Sequence, residues 1–296
     1  EKEKLNVDMY ALNSRVNDLY FGILLLDEQL KQNALLQDEL ERNYRQITAY
    51  VENGIANQAD LDAVKVEQLN TKQKRVELAS SRMAYLKMLS LLVGEKLSQE
   101  TVLEKPVPQD DISAVGEIRR PELSLFNAQG VGLQVQEKAL NVRHLPQFGL
   151  FVQGAYGNPG LNMLKNEFSP YYIAGVRLSW NFGSLYTLKN DRKVIENKRR
   201  QLDNNRDVFL FNTRLEMTQQ DQAIQSLEKQ MQDDDEIIRL RTNIRKSAEA
   251  KVANGTLTVT EMLRELTNES LARQSKALHE IQRLMGIYQL KYTTND

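Results

Sequence analysis

The residues able to do chemistry in this sequence are few, and they do not gather. Histidine occurs twice, as His144 and His279; the two lie in different segments, with no cysteine and no recurring carboxylate spacing around them, so the ligand pattern of a metal site is missing. Asp233-Asp234-Asp235-Glu236 form the densest acidic run. Consecutive positions fan around the circumference of a helix, so this run reads as a solvated face and not as a calcium or acid–base cluster. Cysteine is absent, which excludes thiol catalysis, disulfides and iron–sulfur clusters. No phosphate-binding glycine loop, nucleophile elbow or paired acid–base constellation appears. The reading is a protein that is not an enzyme and that uses no cofactor or metal. Two acids stand out by position: Asp60 and Glu261 follow the pairs Asn53-Gly54 and Asn254-Gly255 at the same interval.

The segments that carry these residues are long helices. Charged residues make up 27% of the 296 positions and hydrophobic ones 41%, with only 14 glycines and 6 prolines, a balance that favours helix over many-stranded folds. Basic residues (39) and acidic ones (40) nearly cancel, so nucleic acid is not indicated as a partner. The longest apolar run of consequence, Ile23 to Leu26, falls far short of the roughly 20 residues of a spanning helix. Glu1 opens no signal peptide, so a secreted reading requires a mature or trimmed chain.

From Leu5 the apolar residues recur at Met9, Leu12, Val16, Leu19, Ile23, Leu26 and Leu30, in the alternating steps of four and three of a coiled-coil seam. The spacing predicts one helix of about 50 residues ending at Asn53-Gly54, where glycine supplies the left-handed terminus. A second helix, capped by Asp60, has its seam at Val66, Leu69, Val76 and Met83 and ends near Gly94. Residues 95–121 hold Pro106, Pro108 and Pro121 and read as an irregular connector, followed by a helix over 122–145. After Tyr186 the helical pattern returns with Leu227, Met231, Ile238, Ala248 and Val252 on a seven-residue lattice that also holds Asp234, Arg241 and Arg245. It breaks at Asn254-Gly255, and the last helix uses Leu263, Leu266, Ala277, Leu284 and Ile287. Laying Gly54 on Gly255 matches Ala49 with Ala250, Val51 with Val252 and Asp60 with Glu261. The chain therefore reads as two equivalent helical hairpins, over 1–94 and 184–296.

Between Pro146 and Gly183 the period changes from helical to alternating. Tyr172, Ala174, Val176, Leu178, Trp180 and Phe182 share one face, with Arg177 and Gly175 on the other. Phe148, Leu150, Val152 and Tyr156 alternate likewise. Runs of about 9–12 residues match tilted strands of a membrane barrel, although an apolar face also suits a sandwich core.

Three stretches carry a resemblance to the TolC-like family of outer-membrane factors, across nearly the whole chain. They are Arg120-Pro121-Glu122-Leu123 with Leu145-Pro146-Gln147-Phe148, the run Ile173 to Gly183, and the turns Val51-Glu52-Asn53-Gly54 and Val252-Ala253-Asn254-Gly255-Thr256-Leu257. The resemblance implies a mainly α fold of long antiparallel hairpins forming an α-barrel, with a β-barrel segment at 146–183. It also implies a homotrimer in the outer membrane and periplasm of a Gram-negative bacterium, serving as a passive duct for efflux or type I secretion. Its partners would be a periplasmic adaptor, an inner-membrane transporter and outer-membrane lipid. The family has two strand pairs per protomer, whereas this sequence carries one and begins inside the helix that would follow the first.

The resemblance places Glu261 at the periplasmic entrance, with Asp60 as its counterpart in the first hairpin. Arg264 stands where the family has a second acid. Both acids also suit the N-terminal turn of a helix, where the macrodipole favours negative charge. Gly54, Ile55, Gly255, Thr256 and Leu257 become the adaptor-docking turns, the glycines serving in addition as helix terminators. Arg177 becomes a barrel-lumen residue, and Tyr172, Val176, Leu178, Trp180 and Phe182 the lipid-facing ones. A soluble coiled-coil scaffold or a periplasmic adaptor protein is the alternative, the latter expected to carry one hairpin instead of two.

Overall fold

The computed structural model describes residues 1–107 and 117–295. The expected connector at 95–121 is irregular where described, and its stretch 108–116, including Pro108, lies outside the described residues. The order of elements is α1 (Lys2–Glu52), α2 (Gln58–Val93), α3 (Pro121–Arg143), β1 (Gln147–Gly157), β2 (Ser169–Ser179), α4 (Ser184–Ala253) and α5 (Val259–Thr294). The chain divides into two compact units, one of Glu1–Pro121 with Leu210–Asp296 and one of Glu122–Phe209. The fold class is the expected one of long antiparallel helical hairpins with a two-stranded segment.

In the first unit the four long helices pack side by side. α1 buries two faces: Leu19 and Ile23 meet Leu86 and Leu89 of α2, while Phe21 and Leu24 meet Ile281 and Leu284 of α5. Burying side chains as completely as Ile23 and Leu86, both at 0% exposure, contributes roughly 2 kcal/mol each. Near the turns all four helices share one apolar cluster, with Leu40 and Ile47 from α1, Val64 from α2, Ala248 and Val252 from α4, and Val259, Met262, Leu263 and Leu266 from α5. Farther along, Met217 and Ile224 of α4 pack with Ile287 and Leu290 of α5.

Two expected seams are corrected. Leu5, Met9 and Leu12 of α1 are exposed, and in α2 the buried set is Val64, Thr71, Leu78, Leu86 and Leu89, whereas Val66, Leu69 and Val76 face outward. α2 carries two apolar stripes, and the seven-residue spacing of Val64, Thr71 and Leu78 is the one turned to α1. The α4 lattice is buried at Ala248, Val252 and Asp234. The Asp234 carboxylate accepts from the ring of His279 at 2.9 Å, so the acidic run is not wholly a solvated face.

In the second unit, α3 runs antiparallel to the beginning of α4. Phe126 meets Phe209 at 5.9 Å between ring centroids, Arg199 pairs with Glu137 at 3.0 Å and Arg192 donates to Asn141 at 2.8 Å. β1 and β2 form an antiparallel ribbon in the register Phe148↔Leu178, Leu150↔Val176, Phe151↔Gly175 and Gly149↔Arg177. Nearly every position of both strands is exposed.

Candidate functional site

The two turns are built by the same bonds, as the sequence repeat requires. Asn53 sends its backbone N–H and its side-chain amide to the Ala49 carbonyl, at 3.1 and 2.7 Å. Asn254 does the same to Ala250, at 3.2 and 2.8 Å. Gly54 (φ 71°) and Gly255 (φ 68°) are left-handed, a conformation that costs any residue with a Cβ. The N–H groups of Ile55 and Thr256 then close each turn on the carbonyls of Tyr50 and Lys251, at 2.8 and 2.9 Å.

Beyond each turn stands a capping box. Asn57 accepts from the Asp60 N–H at 3.1 Å, and Asp60 accepts from the Asn57 N–H at 3.1 Å. Thr258 and Glu261 repeat the arrangement at 3.2 and 3.1 Å, with a further bond from the Thr258 hydroxyl to Glu261 at 2.8 Å. The expectation that Asp60 itself caps α2 is therefore corrected: Asn57 is the cap, and Asp60 is the reciprocal acid three residues on. The hydrogen bonds from the Thr258 hydroxyl and backbone, with the Arg264 charge nearby, hold the Glu261 carboxyl below its usual range.

Three of the sequence-predicted residues meet at the second turn. Leu257, Glu261 and Arg264 line a shallow groove of about 450 Å³ with Ile244, Lys251 and Glu265. Asp60, Gly54 and Ile55 belong to the first turn and are not part of it. Ile55 is exposed, but Leu257 packs partly against the shared apolar cluster. Leu257 therefore floors the groove and does not project as a free knob, because Val259 and Met262 beside it draw the chain inward.

Above the groove lies an ionic seam that sequence reasoning missed. Glu269 of α5 is 2% exposed. It accepts from Thr242 at 2.7 Å, from Arg273 at 2.6 Å and from Arg245, which also reaches Glu249. Burial pushes the Glu269 carboxyl up, but the bonds from Arg273, Thr242 and Arg245 outweigh it and hold the group below the usual carboxylate range. The seam continues through Asp235–Lys276 at 2.5 Å and Glu228–Arg283 at 2.9 Å. Arg245 and Asp234 on the α4 lattice were the legible half of this signal. Their partners on α5 become adjacent only once the hairpin closes.

On the strand ribbon, Tyr172, Val176 and Leu178 share the apolar face with Phe148, Leu150 and Val152. Arg177 lies on the opposite face, its guanidinium 5.4 Å above the ring of Phe151. Gly175, across from Phe151, leaves the space that this ring fills, since a Cβ there would stand 3.0 Å from it. Trp180 and Phe182, expected on the same strand face, are beyond the end of β2 at Ser179. Their rings pack against each other at a tilt of 36°, 4.4 Å between centroids. Among the described residues no three histidine or carboxylate side chains converge on a common point, and no helix is long and apolar enough to cross a membrane.

The sequence matches no protein-family model and no curated protein. Solved structures do match. The outer-membrane protein VceC of Vibrio cholerae superposes with a TM-score of 0.81 at 11% identity, over 99% of this chain and 72% of that one. CusC, described for its transmembrane channel formation, gives 0.79 at 16% identity over 99% and 70%. The CmeC outer-membrane channel of Campylobacter jejuni gives 0.74 at 14% identity over 99% and 66%. The chain has the fold of these TolC-like channels and spans about two thirds to three quarters of their length.

Proposed function

We propose that this chain is one wall segment of a passive, homotrimeric duct for efflux or secretion across the periplasm and outer membrane of a Gram-negative bacterium, working with a periplasmic adaptor and an inner-membrane transporter. The observation that carries the reading is a pair of matched, uncovered apolar stripes. α2 turns Val66, Leu69 and Val76 outward, and α4 turns out Ile237, Leu240 and Ile244, all exposed. Leu69 follows Gly54 by the same number of residues as Leu240 precedes Gly255, so the two stripes stand at one height above the turns. An α2 stripe on one copy meeting an α4 stripe on the next is a head-to-tail contact, which forms a ring when the rotation between copies closes. A groove of about 580 Å³ beside the α2 stripe is lined by Lys65, Lys72 and Arg75 together with Glu41; on α4 Asp233 lies along the stripe, while Glu236 is already paired with Arg239 at 2.6 Å.

The strand ribbon supports the membrane part of this reading. A two-stranded ribbon in water, apolar on one face and covered on neither, is marginal at best; joined to other strands in lipid, the same ribbon is satisfied. Tyr172, Val176 and Leu178 then face lipid and Arg177 the lumen. At the hairpin turns Glu261, Asp60 and Arg264 line the entrance. The turn residues Gly54, Ile55, Gly255 and Thr256, with the groove floored by Leu257, receive the adaptor. Catalysis has no part in this function.

Sedimentation of Leu69→Lys, Leu240→Asp and the combined variant tests the assembly. Each single change is expected to leave monomers, and the pair to restore trimers by placing lysine of one copy against aspartate of the next. Trimers unaffected by either single change would overturn the reading.

A further inference from the structure

We propose that the junction between the strand ribbon and the helices is a headgroup site for anionic phospholipid in the membrane leaflet facing the periplasm. The inference rests on the membrane placement of the strands proposed above. Past Ser179 the indole N–H of Trp180 donates to the His144 carbonyl at 3.2 Å, which ties the ring to the end of α3. Trp180 remains 45% exposed, Phe182 packed against it 59%, and Tyr186 one turn on 90%. An indole whose polar edge is satisfied by protein while its apolar edge stays uncovered is suited to the boundary between hydrocarbon and water.

The charge beside this aromatic cluster is one-sided. Over residues 137–143 and 184–200, basic side chains outnumber acidic ones eight to three, in a chain whose net charge is −1. Two of the three acids are already engaged, Glu137 by Arg199 at 3.0 Å and Glu196 by Arg200 at 2.6 Å. Arg143 immediately precedes the residue that holds Trp180, and Lys189 and Lys193 follow in the first turns of α4. All three are exposed, and among the described residues none has an ion-pair partner within bonding distance. Lys189 lies about 8 Å and Lys193 about 14 Å along the helix from its start. The headgroup layer is about 5–8 Å thick on each side of the hydrocarbon, and the long stems of lysine and arginine extend their charges toward it. Exposed aromatic and apolar surface continuous with unneutralised cations matches a lipid surface that offers hydrocarbon and phosphate together.

Flotation of the purified protein with phosphatidylcholine vesicles, with and without phosphatidylglycerol, tests the site. Each cation near an anionic surface strengthens attachment about five-fold, so the wild-type chain is expected to bind the anionic vesicles at least about ten-fold more tightly at low salt. High salt should remove that preference. The triple variant Arg143→Gln, Lys189→Gln, Lys193→Gln should lose it too, while keeping its binding to neutral vesicles and its helical circular dichroism. Equal wild-type binding to both vesicles, or a preference that survives the triple substitution, overturns the headgroup site and leaves the membrane placement standing. Binding to neither vesicle overturns the membrane placement, and the headgroup site with it.

Discussion

Glu269 is the residue whose chemistry decides most at the second hairpin. Its carboxylate is buried among Thr242, Arg245 and Arg273. Glu269→Ala leaves Arg245, whose side chain is 14% exposed, without its deepest counter-charge, and is expected to cost about 3 kcal/mol at neutral pH in urea unfolding. Arg273→Ala should cost less, because that side chain is 43% exposed and its charge is partly screened by water. The pH dependence has a definite sign. The folded-state carboxyl is held below its ordinary value, so its contribution is present above the unfolded value near 4.3 and is lost as pH falls through the lowered folded one. Glu269→Gln should accordingly flatten the acid limb of the stability profile, and an unchanged limb would contradict the assignment. At the turns, Gly255→Ala and Gly54→Ala are each expected to lower stability by about 1 kcal/mol, and equally, since both glycines sit at the same positive φ. These glycines were legible in the sequence because Asn-Gly carries its own local reason for turning. Glu269 was not, because Thr242 and Arg245, which complete its shell, come from another helix.

At the scale of the helix, period alone could locate α2 but could not orient it. Val66, Leu69 and Val76 form as good an apolar series as Val64, Thr71 and Leu78, and only packing against α1 decides which is inside. Leu86→Ala, at a position with 0% exposure, is expected to destabilise the chain by about 3 kcal/mol. Leu69→Ala, on the outward stripe, should leave chain stability nearly unchanged and weaken association instead. Thermal unfolding and sedimentation on the same samples separate the two, and a large loss of chain stability from Leu69→Ala would mean that the outward stripe is internal after all. The ends of helices were read more closely than their faces, since caps are local: α1 stops at the expected Asn-Gly pair, and α3 stops at Arg143, two residues short of the expected 145. β2 stops short of Trp180 because the indole is drawn to the His144 carbonyl. An alternating pattern has no means of reporting that long-range bond.

For the whole molecule, the repeated hairpins and the single ribbon were visible in the sequence, and the edges on which assembly depends were not. An outward stripe and an inward one look alike until the partner is known. The central claim is that α2 of one copy lies against α4 of the next in a closed ring. Because the chain has no cysteine, Leu69→Cys with Leu240→Cys introduces only two thiols, one on each edge. Oxidation of this variant followed by denaturing electrophoresis under non-reducing conditions is the most direct measurement. The account predicts covalent dimers and trimers that collapse to monomer on reduction and are missing from either single variant. Oxidised chains that remain monomeric, or dimers formed by a single variant alone, would contradict it.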